Sequence, residues 1–253
     1  MEKEHGHHVP GVGSTSTGGG SNGVALMILD DQRSHLPKWA DTVMADPDAA
    51  KYVSGVGIHW YASVDDTFDF FPNVAKTAAS LAPSGRFVLG TEACNGFLPW
   101  SQGPQLGSWR RGGLYMKDIL GDLNSGAGGW TDWNIALDMK GGPNWAGNVV
   151  DAPILVDADA GVFYKQPMYY ALAHFSRFLP PGSVRVGLSL AGKTGGLTTT
   201  AVAFVTPEKR YVLVVANHDW FEDYEFEVEH PTQPGAGSIK LTVPKGSWQT
   251  IVI

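Results

Sequence analysis

Residues 86–94 read RFVLGTEAC. The segment FVLG (87–90) runs without a polar break, as a strand covered on both faces should, and it delivers Thr91 and Glu92 at its C-terminal end. Its neighbours decide what kind of fold it belongs to. VALMIL (24–29) is a second continuous apolar run, predicting a strand buried on both faces, and it closes in Asp30, Asp31, Gln32 and Arg33. In LPKWADTVMA (36–45), Leu36, Trp39, Ala40 and Val43 recur at helical spacing. VSGVGIHWY (53–61) reads as a strand, residues 73–82 as a helix, WRRGGLYMKDILGDLN (109–124) as a longer helix and GGWTDWNIAL (128–137) as a fourth strand. Strand and helix alternate, which predicts parallel α/β structure. Polar or aromatic residues stand at each strand's C-terminal end, where a β/α barrel builds its chemistry.

The texture changes near residue 180. SVRVGLSL (183–190), TTAVAFV (199–205), RYVLVVAN (210–217), YEFEVE (224–229), SIKLTV (238–243) and WQTIVI (248–253) are short runs between turn residues. They predict an antiparallel β-sandwich domain, joined to the first part by a helix in KQPMYYALAHFSRFL (165–179). A complete barrel has eight strands in about 250 residues, so four candidate strands amount to half of one. The resulting division is a disordered tail over 1–23, a half (β/α)8 barrel over 24–179 and a β-sandwich domain over 180–253. The tail carries His5, His7 and His8 among Gly, Ser and Thr, and nothing nearby would fix them as metal ligands.

Composition narrows the function. The 253 residues are 43% hydrophobic and 17% charged, a globular balance. Eighteen basic against 25 acidic residues leave a charge of −7, which argues against a nucleic-acid partner. Full protonation of the eight histidines would bring this to about +1, so acidic pH erases the negative field. Cys94 is the only cysteine, which excludes an intramolecular disulfide and a cysteine-based zinc site. No run approaches the roughly 20 apolar residues of a membrane span. The first residues lack the apolar core of a signal peptide, and there is no Asn-x-Ser/Thr sequence.

Between residues 5 and 207, Glu92 is the only glutamate. Placed at a strand end, it could be a nucleophile, an acid or a metal ligand, or simply a solvated carboxylate. Its aromatic surroundings favour chemistry on sugars, whose rings stack on aromatic faces. His59, Trp60 and Tyr61 end one neighbouring strand, Trp130 and Trp133 lie in another, and the chain holds nine tryptophans.

LMILDDQR (26–33), GIHWY (57–61), TEACNG (91–96), GSWRRG (107–112), GWTDWNIAL (129–137), GGPNWAGN (141–148) and FYKQPMYYALAHFSRFLPPGS (163–183) occur in one order. Together, over about Val24 to Ile253, they resemble the C-terminal half of the glucosylceramidases, the lysosomal acid β-glucosidases of glycoside hydrolase family 30. The resemblance implies barrel strands five to eight followed by the β-sandwich. It also implies a retaining hydrolase that cleaves glucosylceramide to glucose and ceramide without metal or organic cofactor. By the same resemblance Glu92 matches the nucleophile. Trp133 and Asn148 match residues that hold glucose, and Tyr61 matches a tyrosine beside the nucleophile. Cys94 matches a cysteine that shapes the pocket, while Gln32, Asp30, His59 and Trp60 match positions at or just behind it.

Retaining chemistry needs two carboxylates about 5–5.5 Å apart. The family's acid/base is a glutamate in an Asn-Glu-Pro motif after the fourth barrel strand, and this sequence contains no such motif. Asp30, Asp132 and Asp151 are the acidic residues near the site by location alone, and each matches a supporting residue. The expectation is therefore a partial chain that is weakly active or inactive by itself. The other reading is a non-catalytic fragment of the family that binds a sugar, a lipid or a partner. The resemblance further implies a saposin-type activator, an anionic lipid surface and a lysosomal location.

Overall fold

The computed structural model describes residues 23–63, 68–188, 199–229 and 238–253. The tail expectation for 1–23 falls, apart from Gly23, outside them. The described residues fall into two compact units, one ending at Leu172 and one beginning at Ala173.

In the first unit, β1 (Leu26–Gln32), β2 (Val53–His59) and β3 (Phe87–Glu92) form a parallel sheet in that order. Two helices supply the apolar face that the sheet needs, α1 (Lys38–Met44) and α3 (Phe71–Leu81). A single turn, α2 (Pro47–Ala50), separates α1 from β2 and is capped by Asp46, whose carboxylate accepts from Asp48 N and Ala49 N. In α3, Val74, Thr77 and Leu81 recur on one face. They pack with Leu36, Ala40, Val56, Ile58 and Val88 into one core cluster, apart from Thr77, which is buried beside it.

Two strand expectations are corrected. Among the described residues β1 pairs on one side only, with β2, and its Leu26 and Met27 are 53% and 39% exposed rather than covered on both faces. GGWTDWNIAL does not form a full fourth strand. It meets β3 through one parallel bridge, Gly90 with Trp130, without extending into a ladder. The Gly-Gly entry and Asp132 leave little to sustain a ladder. β4 (Ala136–Asp138), β5 (Ile154–Asp157) and β6 (Val162–Lys165) then make a separate sheet, parallel between β4 and β5 and antiparallel between β5 and β6. It precedes α5 (Pro167–Ser176).

The helix α4 (Trp109–Asn124) occupies the residues its periodicity predicts. Two buried arginines bind it. Arg33, just past β1 and fully buried, donates to Asp122 Oδ1 at 2.8 Å and pairs closely with Asp118. The guanidinium lies 4.8 Å from the centre of the Phe71 ring, and Trp130 Nε1 donates to Asp118 Oδ2 at 2.8 Å. Phe71 in turn lies so close to Gly121 that a Cβ there would enter its ring. At the other end of α4, Arg111 pairs closely with Asp151 and donates to the carbonyl of Gly103 at 2.6 Å.

In the second unit, β7 (Val184–Val186), β8 (Thr199–Val205), β9 (Tyr211–Asn217) and β12 (Ser247–Val252) form an antiparallel sheet in the order β12-β9-β8-β7. β10 (Tyr224–Glu229) and β11 (Ser238–Val243) form a hairpin pair. Along β10, Tyr224 and Phe226 are buried while Glu225 and Glu227 face water, the period-two pattern of a sheet with one solvated face. Those rings join Ala201, Leu213, Val215 and Val243 in the core.

Removing one partner of a buried ion cluster strands the others, at a typical cost of about 3–5 kcal/mol. Arg33→Leu should lower stability by that amount in urea unfolding followed by tryptophan fluorescence. A loss below about 1 kcal/mol, the scale of a surface pair, would contradict the role given to Arg33.

Candidate active site

The strand register sets three residues side by side. Gln32 of β1 pairs with His59 of β2, and His59 pairs with Glu92 of β3, each at the C-terminal end of its strand. The register slip between Ile58 and His59 sets Glu92, instead of Thr91, opposite His59, while the two slips in β1, between Leu26 and Met27 and between Leu29 and Asp31, cancel and leave Gln32 level with His59. Glu92 keeps its side chain 25% exposed, enough for a ligand to reach it from the rim.

His59 Nε2 lies 2.9 Å from Asp30 Oδ1 and 3.9 Å from Glu92 Oε2. Asp30 Oδ1 also accepts from the Thr91 hydroxyl at 2.8 Å. These bonds from His59 and Thr91 hold the Asp30 carboxyl below its usual range. Gln32 spends its amide oxygen on the backbone N–H of Ala62 at 2.8 Å, which fixes the turn that carries Tyr61. The Tyr61 hydroxyl stands 3.4 Å from Cys94 Sγ and also faces the Glu92 carboxylate. Burial, with Cys94 and Glu92 beside it, raises the Tyr61 pKa far above that of a free phenol, so this group is a neutral donor.

Cys94 is buried, and burial pushes its thiol up to about 12, which leaves no nucleophilic thiolate at neutral pH. It packs with Leu137, Val150 and Ala152, and Tyr61 and Phe97 lie against that cluster. Trp60 sits behind the row, edge-on to Tyr115 at 5.4 Å and to Trp130 at 6.3 Å between ring centres. It holds the row in place and offers little surface to a ligand.

Trp133 is 42% exposed, and its backbone N–H donates to the carbonyl of Ala93, the residue after Glu92, at 2.8 Å. Asn148 is exposed on the loop after β4, where its N–H donates to Asn144 Oδ1 at 3.3 Å. Of the three aspartates singled out by location, Asp30 is bound to His59 and Thr91. Asp151 is fully buried, paired with Arg111 and accepting from Gln105 N at 3.1 Å. Asp132 Oδ1 accepts from Asn134 N at 3.1 Å and so shapes the turn that presents Trp133. Its Oδ2 is buried beside the Tyr115 hydroxyl without a well-formed hydrogen bond between them. Among the described residues there is no group of three or more His, Cys, Asp or Glu side chains able to hold a metal ion. Thr91 carries no chemical signature in the sequence, because strand alternation turns it away from the face of Glu92.

Residues 9–179 match the glycosyl hydrolase family 30 TIM-barrel domain, and residues 182–251 match that family's β-sandwich domain. The chain is 43% identical to the lysosomal acid glucosylceramidase of Mus musculus, covering 83% of this chain and 39% of that protein. It is 48% identical to putative glucosylceramidase 3 of Caenorhabditis elegans, covering 70% of this chain and 33% of that one. The chain thus spans between a third and two fifths of the length of these curated relatives. Among solved structures, SrfJ from Salmonella typhimurium aligns over 92% of this chain and 48% of its own, with a TM-score of 0.78 and 31% identity. The endo-β1,6-glucanase BT3312 shares the fold, with a TM-score of 0.71 over 90% of this chain at 21% identity.

Burial raises Asp132 from an ordinary 3.8 to about 7. The folded chain therefore keeps a proton there that the unfolded chain releases, and this group's contribution to stability declines as pH rises from about 4 to about 7. Between pH 5 and pH 7 the decline should be about 2 kcal/mol, read from thermal or urea unfolding at the two values. Asp132→Asn should flatten that part of the profile. An unchanged slope in the variant would contradict the buried, proton-holding Asp132.

Proposed function

This chain belongs to glycosyl hydrolase family 30, and on that premise we propose that it carries the nucleophile of a retaining β-glucosidase of the glucosylceramidase type. The observation that supports this best is the position of Glu92. It stands at the end of β3, partly exposed, in register with His59 and faced by the Tyr61 hydroxyl. In the proposed step a Glu92 oxygen attacks the anomeric carbon of a β-glucoside. The bond from that carbon to the aglycone oxygen breaks, and its electron pair leaves with the oxygen. Tyr61, held neutral, orients the carboxylate, and Trp133 and Asn148 supply an indole face and a polar side chain for the sugar.

The natural substrate in this reading is glucosylceramide or a related β-glucoside, met at an anionic lipid surface with a saposin-type activator in the lysosome. The identity to the mouse enzyme supports this class of substrate. Protonation of the departing oxygen needs a second carboxyl, and such help is worth about 10²- to 10⁴-fold. Asp30 and Asp151 are committed to His59 and Arg111, and Asp132 points into the Tyr115 contact. The proposed chain is accordingly weak or inactive alone on a natural glucoside, whose leaving group needs a proton, and competent on one whose leaving group does not.

The test is intact mass after exposure to 2,4-dinitrophenyl 2-deoxy-2-fluoro-β-glucoside, whose dinitrophenolate departs unprotonated. One added fluoroglucosyl group, absent in Glu92→Gln, is the expected result. No addition, or an addition that persists in Glu92→Gln, would overturn the proposal and leave a non-catalytic member of the family.

A further inference from the structure

Two consecutive residues of β1, Leu29 and Asp30, have left-handed backbones with φ of 72° and 53°. Neither is glycine, and a side-chain-bearing residue is strained in that conformation. The neighbouring strand makes room for them. A Cβ on Gly57 of β2 would stand 3.4 Å from Asp30 Cα and 3.0 Å from Thr91 Cγ2. The strained pair coincides with the second register slip in β1. Its result is that Asp30 turns its carboxylate over the ends of β2 and β3, onto His59 Nε2 and the Thr91 hydroxyl.

The same imidazole nitrogen has two carboxylates to choose between. Asp30 Oδ1 lies 2.9 Å away and Glu92 Oε2 lies 3.9 Å away, beyond hydrogen-bond range. A histidine N–H given to Glu92 would stabilise its charge and blunt its attack, because a carboxylate that accepts a strong hydrogen bond is a poorer base and nucleophile. We propose that Asp30 is a positioning residue that captures the His59 Nε2 proton and so withholds it from Glu92. Thr91, bonded to the same Asp30 oxygen and 3.3 Å from the carbonyl of Ile58, ties that carboxylate to the strand bearing Glu92. The inference rests on Glu92 being the nucleophile, and it assigns Asp30 a role exercised through His59 instead of through contact with substrate.

A bystander and a withholding group differ in how their effects combine. Asp30→Gly removes the carboxylate while accepting the left-handed backbone without strain. It should slow fluoroglucosyl labelling of Glu92 at least ten-fold, with a melting temperature close to the parent's. Adding His59→Ala to Asp30→Gly should restore part of the lost rate, since no imidazole is then left to bind Glu92. Labelling of Asp30→Gly at the parent rate, or a double variant as slow as Asp30→Gly, would overturn the inference.

NMR of the His59 side-chain N–H decides the question without any labelling. Glu92→Gln should move that resonance in the Asp30→Gly background and leave it nearly unmoved in the parent. Equal movement in both would overturn the inference. A parent chain that takes no label fails the proposed function, while this comparison still tests the placement of the proton.

Discussion

Arg33 and Arg111 bind opposite ends of α4 to the segments that carry the candidate site. Through Asp118 and Asp122, Arg33 holds the end of β1, and Asp118 also receives Trp130 from the segment that leads to Trp133. Through Asp151 and the carbonyls of Gly103 and Ser101, Arg111 holds the loop after β3 and the end of the loop that carries Asn148. Buried charges add little net stability over a well-packed apolar alternative. What they impose is specificity, because a buried guanidinium has few positions in which its donors are satisfied. The strand ends and loops around Glu92 are thus set by a helix that contributes no side chain to the row itself.

On that frame the row is built by departures from regular structure. Without the slip after Ile58, His59 would stand level with Thr91 instead of Glu92. In β1 two slips cancel, and the second of them carries the left-handed Leu29 and Asp30. Electrostatics then separate the roles of groups that composition treats alike. Asp30 is kept ionised by His59 and Thr91, whereas Asp132 is driven towards its protonated form by burial. Asp122 is raised well above the usual carboxylate range by burial and by Asp118, with Arg33 pulling the other way. Tyr61 and Cys94 stay neutral, so Glu92 faces donors and apolar surface.

Much of this is legible in the sequence, for reasons of period. The bounds of α4 follow from apolar residues at helical spacing, and β10 from strict alternation. Glu92 is conspicuous because it stands alone at the end of an apolar run. Other features have no local signature. VALMIL looks the same whether a strand is covered on both sides or lies at an edge, and only pairing distinguishes them. Leu29 has nothing in its chemistry to announce a positive φ. Gln32 reads as a rim residue, yet its amide oxygen holds the turn at Ala62. The bond from Arg33 to Asp118 spans 85 residues, beyond the reach of any window of periodicity. The family resemblance fills some of these gaps by naming positions, and the geometry shows what those positions touch.

The most direct measurement is a crystal structure of the chain treated with 2,4-dinitrophenyl 2-deoxy-2-fluoro-β-glucoside. The expected result is continuous density from a Glu92 carboxylate oxygen to the anomeric carbon, with the sugar beside Trp133 and His59 still bound to Asp30. A sugar attached to another side chain, or an unmodified Glu92 hydrogen-bonded to His59, would contradict the reading of this row as a nucleophile and its supports.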